Sequence, residues 1–291
     1  MTDFFSDVGN KPSPNLRDYI WTIYGPPGIG KTTFASEGDY LIVAFERGYT
    51  AMEASAVDLT LDEHPSGKAS PKAAAEWRDA DPWSRFLITI GEISALDAPP
   101  WAGICIDTLD AAYLAAMDHI LAAKGWAHVD DGGQYGKGYD AVNTPFKGAI
   151  MRLVRLGIGL AFVSHSKDRE FKGRGGVSYQ KVVPSVTPSM GKWIIGLSDL
   201  VLFADAVPGA GGKPTRVVHT QPSYRFDAKA RGRRSTPLPS PLHLDYASFS
   251  RAFSQTMRGH EVDAEDLPVV SEIQAVPQPV QVEKASPWPS K

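Results

Sequence analysis

The sequence predicts an α/β fold, a mostly parallel, doubly wound sheet with helices on both faces. Three observations point there. Apolar runs of strand length recur at Tyr19–Tyr24, Tyr40–Phe45, Gly103–Asp107 and Gly159–Val163. Stretches of helical texture separate them, most plainly the alanine- and leucine-rich Asp110–Ala123. A glycine loop, Gly25-Pro-Pro-Gly-Ile-Gly-Lys-Thr32, joins the first strand directly to a helix.

Taken in order, residues 1–15 read as a flexible polar arm, 16–258 as one domain, and 259–291 as a disordered, acidic, Pro-rich tail. Within the domain, 62–82 form a surface excursion with a short helix around Lys72–Arg78. Phe86–Ile90 reads as a short strand and Glu92–Asp97 as a helical turn. Residues 125–140 read as a loop, and Phe146–Leu156 as a helix from its apolar spacing. Residues 166–192 are basic and glycine-containing, the texture of a flexible loop. From 193 to 245 short strands and turns are expected, at Leu200–Ala204, Arg216–Thr220 and Tyr224–Asp227, with antiparallel pairing at the C-terminal end of the fold.

Composition excludes several classes. Hydrophobic content of 43% with 22% charged residues is ordinary for a globular chain, so a packed core is expected. No run of about 18 apolar residues is present, so no membrane span is expected. Met1–Pro14 lacks the apolar centre of a secretion signal, and the lone Cys105 precludes an internal disulfide, which fits a reducing cytoplasm. The net charge of −3 is uneven, because 259–291 carries six acids against two lysines and leaves the remainder slightly basic.

The loop matches G-x-x-x-x-G-K-[ST], whose backbone N–H groups cradle phosphates. Its glycines permit the left-handed angles that turn those groups inward. Gly25, Pro26, Pro27, Gly28, Ile29, Gly30, Lys31, Thr32 and Thr33 are therefore the expected contacts to a nucleotide's phosphates. Lys31 supplies a point charge to the β- and γ-phosphates, and the Thr32 hydroxyl is placed to ligate Mg²⁺. In a parallel sheet, ligands gather at the carboxyl ends of the strands. Glu46, Asp107 and His165 all end apolar strands and join the loop there. Asp107 either completes the metal site with Thr32 or caps the next helix. Glu46 either activates the attacking water or is a solvated strand-end acid. His165, between Ser164 and Ser166, either senses the γ-phosphate or is a polar cap.

Two basic segments follow. Lys167, Arg169, Lys172, Arg174 and Lys181 are interleaved with Phe171 and Tyr179, a pattern suited either to single-stranded nucleic acid, whose phosphates pair with cations and whose bases stack on rings, or to a solvated, disordered loop. In Lys229-Ala-Arg231, alternate residues of an extended segment point the same way, so both cations reach one phosphate. A finger on a neighbour's nucleotide, a DNA contact and an exposed basic turn all remain open for that pair.

The motifs GPPGIGKTTFA (25–35), FERG (45–48), ICIDT (104–108), VSHSK (163–167) and AKARG (228–232) stand in the order found in phage-encoded RecA-like P-loop NTPases. More narrowly, the chain resembles the single-domain RecA-core ATPases associated with phage single-strand annealing and recombination, over roughly residues 16–245. That resemblance implies an ATPase stimulated by single-stranded DNA, acting in recombination, annealing or repair in the host cell cytoplasm. It implies Glu46 as catalytic glutamate, a sensor at Ser164-His165 and a DNA-facing loop at about 167–182. It further implies a homo-oligomer, ring or filament, in which Lys229 and Arg231 act in trans, with a single-strand-binding or replication protein as partner. The chain departs from RecA itself in placing a histidine where the sensor is a glutamine. A DnaB-like helicase or translocase motor, and a nucleotide-gated switch with little turnover, are the alternatives.

Overall fold

A computed structural model describes residues 12–134, 136–172, 178–209, 213–232 and 235–268. The parallel strands are β1 (Ile20–Gly25), β2 (Tyr40–Ala44), β3 (Ala56–Asp58), β4 (Gly103–Asp107), β5 (Gly159–Lys172) and β7 (Leu200–Pro208), in spatial order β7-β1-β5-β4-β2-β3. Register is continuous through the centre: Ile23 faces Val163 on one side and Leu202 on the other, and Ile106 faces Phe162. β8 (Pro214–His219) and β10 (Leu242–His243) extend the sheet antiparallel beyond β7. β6 (Ser178–Pro184) pairs with β5, and the two-residue β9 (Lys229–Ala230) with β7, both antiparallel. The expected architecture is present, with more parallel strands than the apolar runs disclosed.

Side chains alternate across these strands and build a core on each face. Leu41, Val43, Ile104, Ile106, Leu160 and Phe162 meet α3 (Pro82–Ser94), α4 (Leu109–Lys124) and α5 (Lys137–Val154). Trp21, Ile23, Ile42, Cys105, Ala161 and Val163 meet α1 (Lys31–Ser36) and α7 (Tyr246–Arg258). The short α2 (Pro71–Asp79) lies where a surface helix was expected, with only Trp77 buried.

Several expectations are corrected. Phe86–Ile90 is not a strand but the middle of α3, which Asp81 caps by accepting from the Ser84 N–H at 2.9 Å. Trp83, Phe86, Ile90 and Ile93 recur at helical spacing and are all buried, so tertiary burial overrides the local strand texture. α5 begins at Lys137, nine residues before the predicted helix, and runs through Pro145. Of the expected basic loop at 166–192, the described residues are mostly regular: β5 continues past the core to Lys172 and pairs antiparallel with β6, and α6 (Pro188–Leu197) follows, while 173–177 lie outside the described residues. α7 was not anticipated, although Asp245 caps its start and Gly259, with φ 85°, ends it. Tyr224–Asp227 forms only an isolated bridge, Val182 to Phe226.

Both ends of the domain are longer than expected. Asn15 caps a 3₁₀ turn at Leu16–Asp18, so the ordered chain starts before residue 16. Residues 259–268 fold back on α7: Asp266 is buried and pairs with Arg251 at 2.5 Å, while Val262 and Leu267 join the core. The boundary at 259 therefore moves to about 268, because a buried carboxylate is retained only where a cation meets it. Residues 1–11 and 269–291 lie outside the described residues. Among the described residues no helix is long and apolar enough to cross a membrane.

Candidate active site

The glycine loop lies where β1 ends and α1 begins, anchored by Ile29, whose side chain enters the core. Gly28 and Gly30 hold φ of 74° and 111°, the left-handed region that glycine enters without steric cost. Lys31 is buried and donates to the carbonyls of Gly25 at 3.1 Å and Pro26 at 2.8 Å. Burial lowers its ammonium from the ordinary value, while the carboxylates of Asp107, Asp110 and Glu46 act in the opposite sense. A buried cation at the mouth of a glycine loop is matched to an anion that brings its own charge.

Parallel pairing brings the other strand ends to the same rim. A cavity of about 260 Å³ is lined by Gly28, Gly30, Lys31, Thr32, Thr33, Glu46, Asp107 and His165, together with Gly48, Met52, Thr108 and Val163. Gly25, Pro26, Pro27 and Ile29 shape the loop behind it rather than line it. The Thr32 hydroxyl donates to Asp107 Oδ2 at 2.8 Å. Burial pushes the Asp107 carboxyl up to about 6; the Thr32 hydroxyl opposes that shift, and the Glu46 charge adds to it. Thr108, not Asp107, caps α4 by accepting from the Ala111 N–H at 3.3 Å, which separates the two roles the sequence left open.

Two observations test whether a divalent cation fits beside Thr32 and Asp107. Asp107 Oδ1 is buried with no hydrogen-bond partner, a free lone-pair site in a place where orphaned oxygens are costly. Gly48 backs onto the same place: a Cβ there would stand 3.3 Å from Thr32 Oγ1 and 3.8 Å from Asp107 Oδ2. A hard oxygen donor pair facing a hollow kept open by a glycine suits Mg²⁺, which retains several of its waters. Gly48→Ala is expected to weaken Mg²⁺ binding and so raise the Mg²⁺ concentration at half-maximal turnover roughly tenfold, since overpacking costs about 1–3 kcal/mol. A Mg²⁺ titration of phosphate release checks it, and an unchanged midpoint would remove the cradle from the argument.

Glu46 follows β2, its backbone N–H reaching the Asp107 carbonyl at 3.3 Å. Its carboxylate Oε2 lies 3.8 Å from His165 Nε2. The sequence reading missed the group on the other side of that ring. Asp110 Oδ2 is 2.9 Å from His165 Nδ1, and Asp110 Oδ1 accepts from the His165 backbone N–H and the Ser164 hydroxyl, both at 3.0 Å. In the sequence Asp110 is only an acid in the first turn of a helix. Its contacts arise from the pairing of β4 with β5, over more than fifty residues of chain.

The basic segments are sorted by the hairpin. Register sets Arg169 against Lys181 and Phe171 against Tyr179, so Lys167, Arg169, Phe171, Tyr179 and Lys181 share one face. The rings stack at 5.9 Å, and Arg169 lies 5.1 Å over Phe171. Lys167 donates to the Val186 carbonyl at 2.8 Å and Lys181 pairs with Asp227 at 2.6 Å, so each already holds an internal partner. Lys172 stands on the opposite face with Asp168 and Glu170. Arg174 lies outside the described residues.

Lys229 and Arg231 are not brought to this chain's own cavity. β9 pairs with the start of β7, on the rim opposite the glycine loop. Both cations turn to the end of α6. Lys229 Nζ donates to the carbonyls of Ile195 at 2.8 Å and Ser198 at 2.5 Å, and Arg231 pairs with Asp199 at 2.9 Å. Arg231 keeps 61% of its side chain exposed, whereas Lys229 is spent on helix C-terminal carbonyls.

Among solved structures, the chain is similar to a KaiC-like protein from the hyperthermophilic archaeon Pyrococcus horikoshii OT3. The two are 11% identical, with 78% of this chain and 86% of that one covered and a TM-score of 0.39. It is also similar to the flagellar accessory protein FlaH from Methanocaldococcus jannaschii, at 8% identity, with 72% and 80% covered and a TM-score of 0.32. A third similar structure is an ATPase of the type III secretion system of pathogenic bacteria, at 12% identity and a TM-score of 0.34. There 65% of this chain matches, spanning 52% of that chain. No curated protein matches the sequence. A family model described as an AAA domain matches residues 17–232, and the chain thus belongs to that AAA-domain family.

Proposed function

We propose that the chain hydrolyses ATP at this cavity and couples turnover to single-stranded DNA, in phage recombination, annealing or repair. Glycine-loop N–H groups and Lys31 bind the phosphates, and Thr32 and Asp107 hold Mg²⁺ with its waters. When bound, the metal offsets the charge that gathers on the phosphoryl oxygens. Glu46 takes a proton from the attacking water, and His165 senses the γ-phosphate beside it.

The observation that carries the DNA half is that β5 is one strand from the cavity to the hairpin. His165 lines the cavity, and two residues later the same strand begins the basic, aromatic face. Rings with flanking cations suit an unpaired strand, whose bases are free to stack, better than a duplex. Arg231, exposed at the far rim, is the better placed of the two fingers to reach a neighbouring protomer's nucleotide. A homo-oligomer follows from that assignment, with a single-strand-binding or replication protein as a further partner.

Phosphate release, measured with and without a single-stranded oligonucleotide across protein concentration, tests the reading. Turnover per protomer should rise with both. Oligonucleotide affinity should fall with a log–log salt slope of about −0.7 for each phosphate neutralised. A flat salt response, or turnover indifferent to the oligonucleotide, would remove DNA from the assignment and leave the ATPase.

A further inference from the structure

We propose that Asp110 is a positioning residue of the hydrolytic reaction: it fixes which nitrogen of His165 carries the proton, and so makes Nε2 an acceptor beside Glu46. The inference rests on the assignment of Glu46 as the group that takes the proton from water. Asp110 is nearly enclosed, its side chain 14% exposed, and all three of its contacts converge on Ser164 and His165. Oδ1 is occupied by the backbone N–H of His165 and the Ser164 hydroxyl. Oδ2 meets Nδ1 at 2.9 Å. A carboxylate only accepts, so Nδ1 must be the protonated nitrogen. In the neutral ring Nε2 then carries a lone pair, and it faces Glu46 Oε2 across 3.8 Å.

Two acceptors at that separation, both bordering the cavity, can be bridged by one water donating a hydrogen to each through hydrogen bonds of about 2.8 Å. Donating both hydrogens leaves the water only lone pairs to offer the γ-phosphorus. In the reaction a bond forms from the water oxygen to phosphorus. The bond from phosphorus to the β,γ-bridging oxygen breaks, its electron pair leaves with ADP, and the proton passes to Glu46. His165 aims the water and ends unchanged. With the other tautomer, Nε2–H would donate to Glu46 itself, occupying the carboxylate and closing the gap to water.

Asp110→Asn tests this. The asparagine oxygen still accepts from the His165 N–H and the Ser164 hydroxyl, but its NH₂ now faces Nδ1, which must accept, and the proton moves to Nε2. Nitrogen NMR of histidine-labelled protein, assigned by the signal lost in His165→Gln, should report an unprotonated Nε2 in the parent and a protonated one in the variant. Turnover should fall on the order of 10²–10⁴-fold, while affinity for a non-hydrolysable ATP analogue stays within about twofold. Asp110→Glu, which keeps an acceptor for Nδ1, should recover at least about a tenth of parental turnover and the parental tautomer.

An unmoved tautomer in Asp110→Asn, or a moved one with turnover intact, would overturn the proposal. So would an Asp110→Glu variant no more active than Asp110→Asn. If the tautomer moves but Glu46→Gln turns over ATP normally, the assignment of Glu46 fails instead. The two failures are therefore separable.

Discussion

Lys31→Ala is expected to abolish useful ATP binding and turnover together while leaving the fold intact. The ammonium makes its two hydrogen bonds to loop carbonyls, Gly25 and Pro26, so its loss unpairs no distant element. Burial already works against its charge, so truncation should hold or raise the melting temperature of the nucleotide-free protein. With nucleotide the sign reverses. A charge-assisted hydrogen bond contributes about 1.5–3 kcal/mol, which corresponds to a loss of roughly 10–100-fold in affinity. Losing a cation that meets charge developing in the transition state costs a further 10²–10³ or so in rate. Titration with a fluorescent ATP analogue, beside phosphate release, measures both. Retention of either at the parental level would place the nucleotide elsewhere.

Glu46→Gln should separate those two quantities. Glutamine keeps the size and the hydrogen-bonding oxygen of the side chain but cannot take a proton at neutral pH. Turnover should fall by roughly 10²–10⁴, with ATP affinity within about twofold. Glu46 is half-exposed and holds no buried hydrogen bond with its carboxylate, so stability should be unaffected. A protein that uses ATP only as a switch would show little change in turnover. That result would favour a nucleotide-gated binding module over an enzyme.

The rim of the sheet was legible because its signals are local. A strand-length apolar run followed by glycines, or by a single acid, states both the element and its carboxyl end within a few residues. Lys31, Thr32, Glu46, Asp107 and His165 were found that way and do line one cavity. What was missed depends on contacts between distant segments. Phe86–Ile90 has β-branched texture, and only burial against α4 and α5 makes it helical. The basic stretch after Ser166 looked flexible because its partner strand lies beyond a glycine-rich interval. Asp110 carried no mark beyond a helix start. α7 is different: Asp245, the spacing of Tyr246, Phe249 and Phe253, and Gly259 are all readable signals, and the expectation of continued short strands obscured them.

The unbroken run of β5 also fixes a length. At about 3.3 Å per residue, Phe171 stands roughly 20 Å along the strand from His165, farther than a mononucleotide reaches. One nucleotide therefore cannot fill the cavity and stack on the hairpin rings at once. On the proposed function, occupancy of the two places is then additive, and a competition assay between ATP and a short oligonucleotide is expected to read coupling rather than displacement.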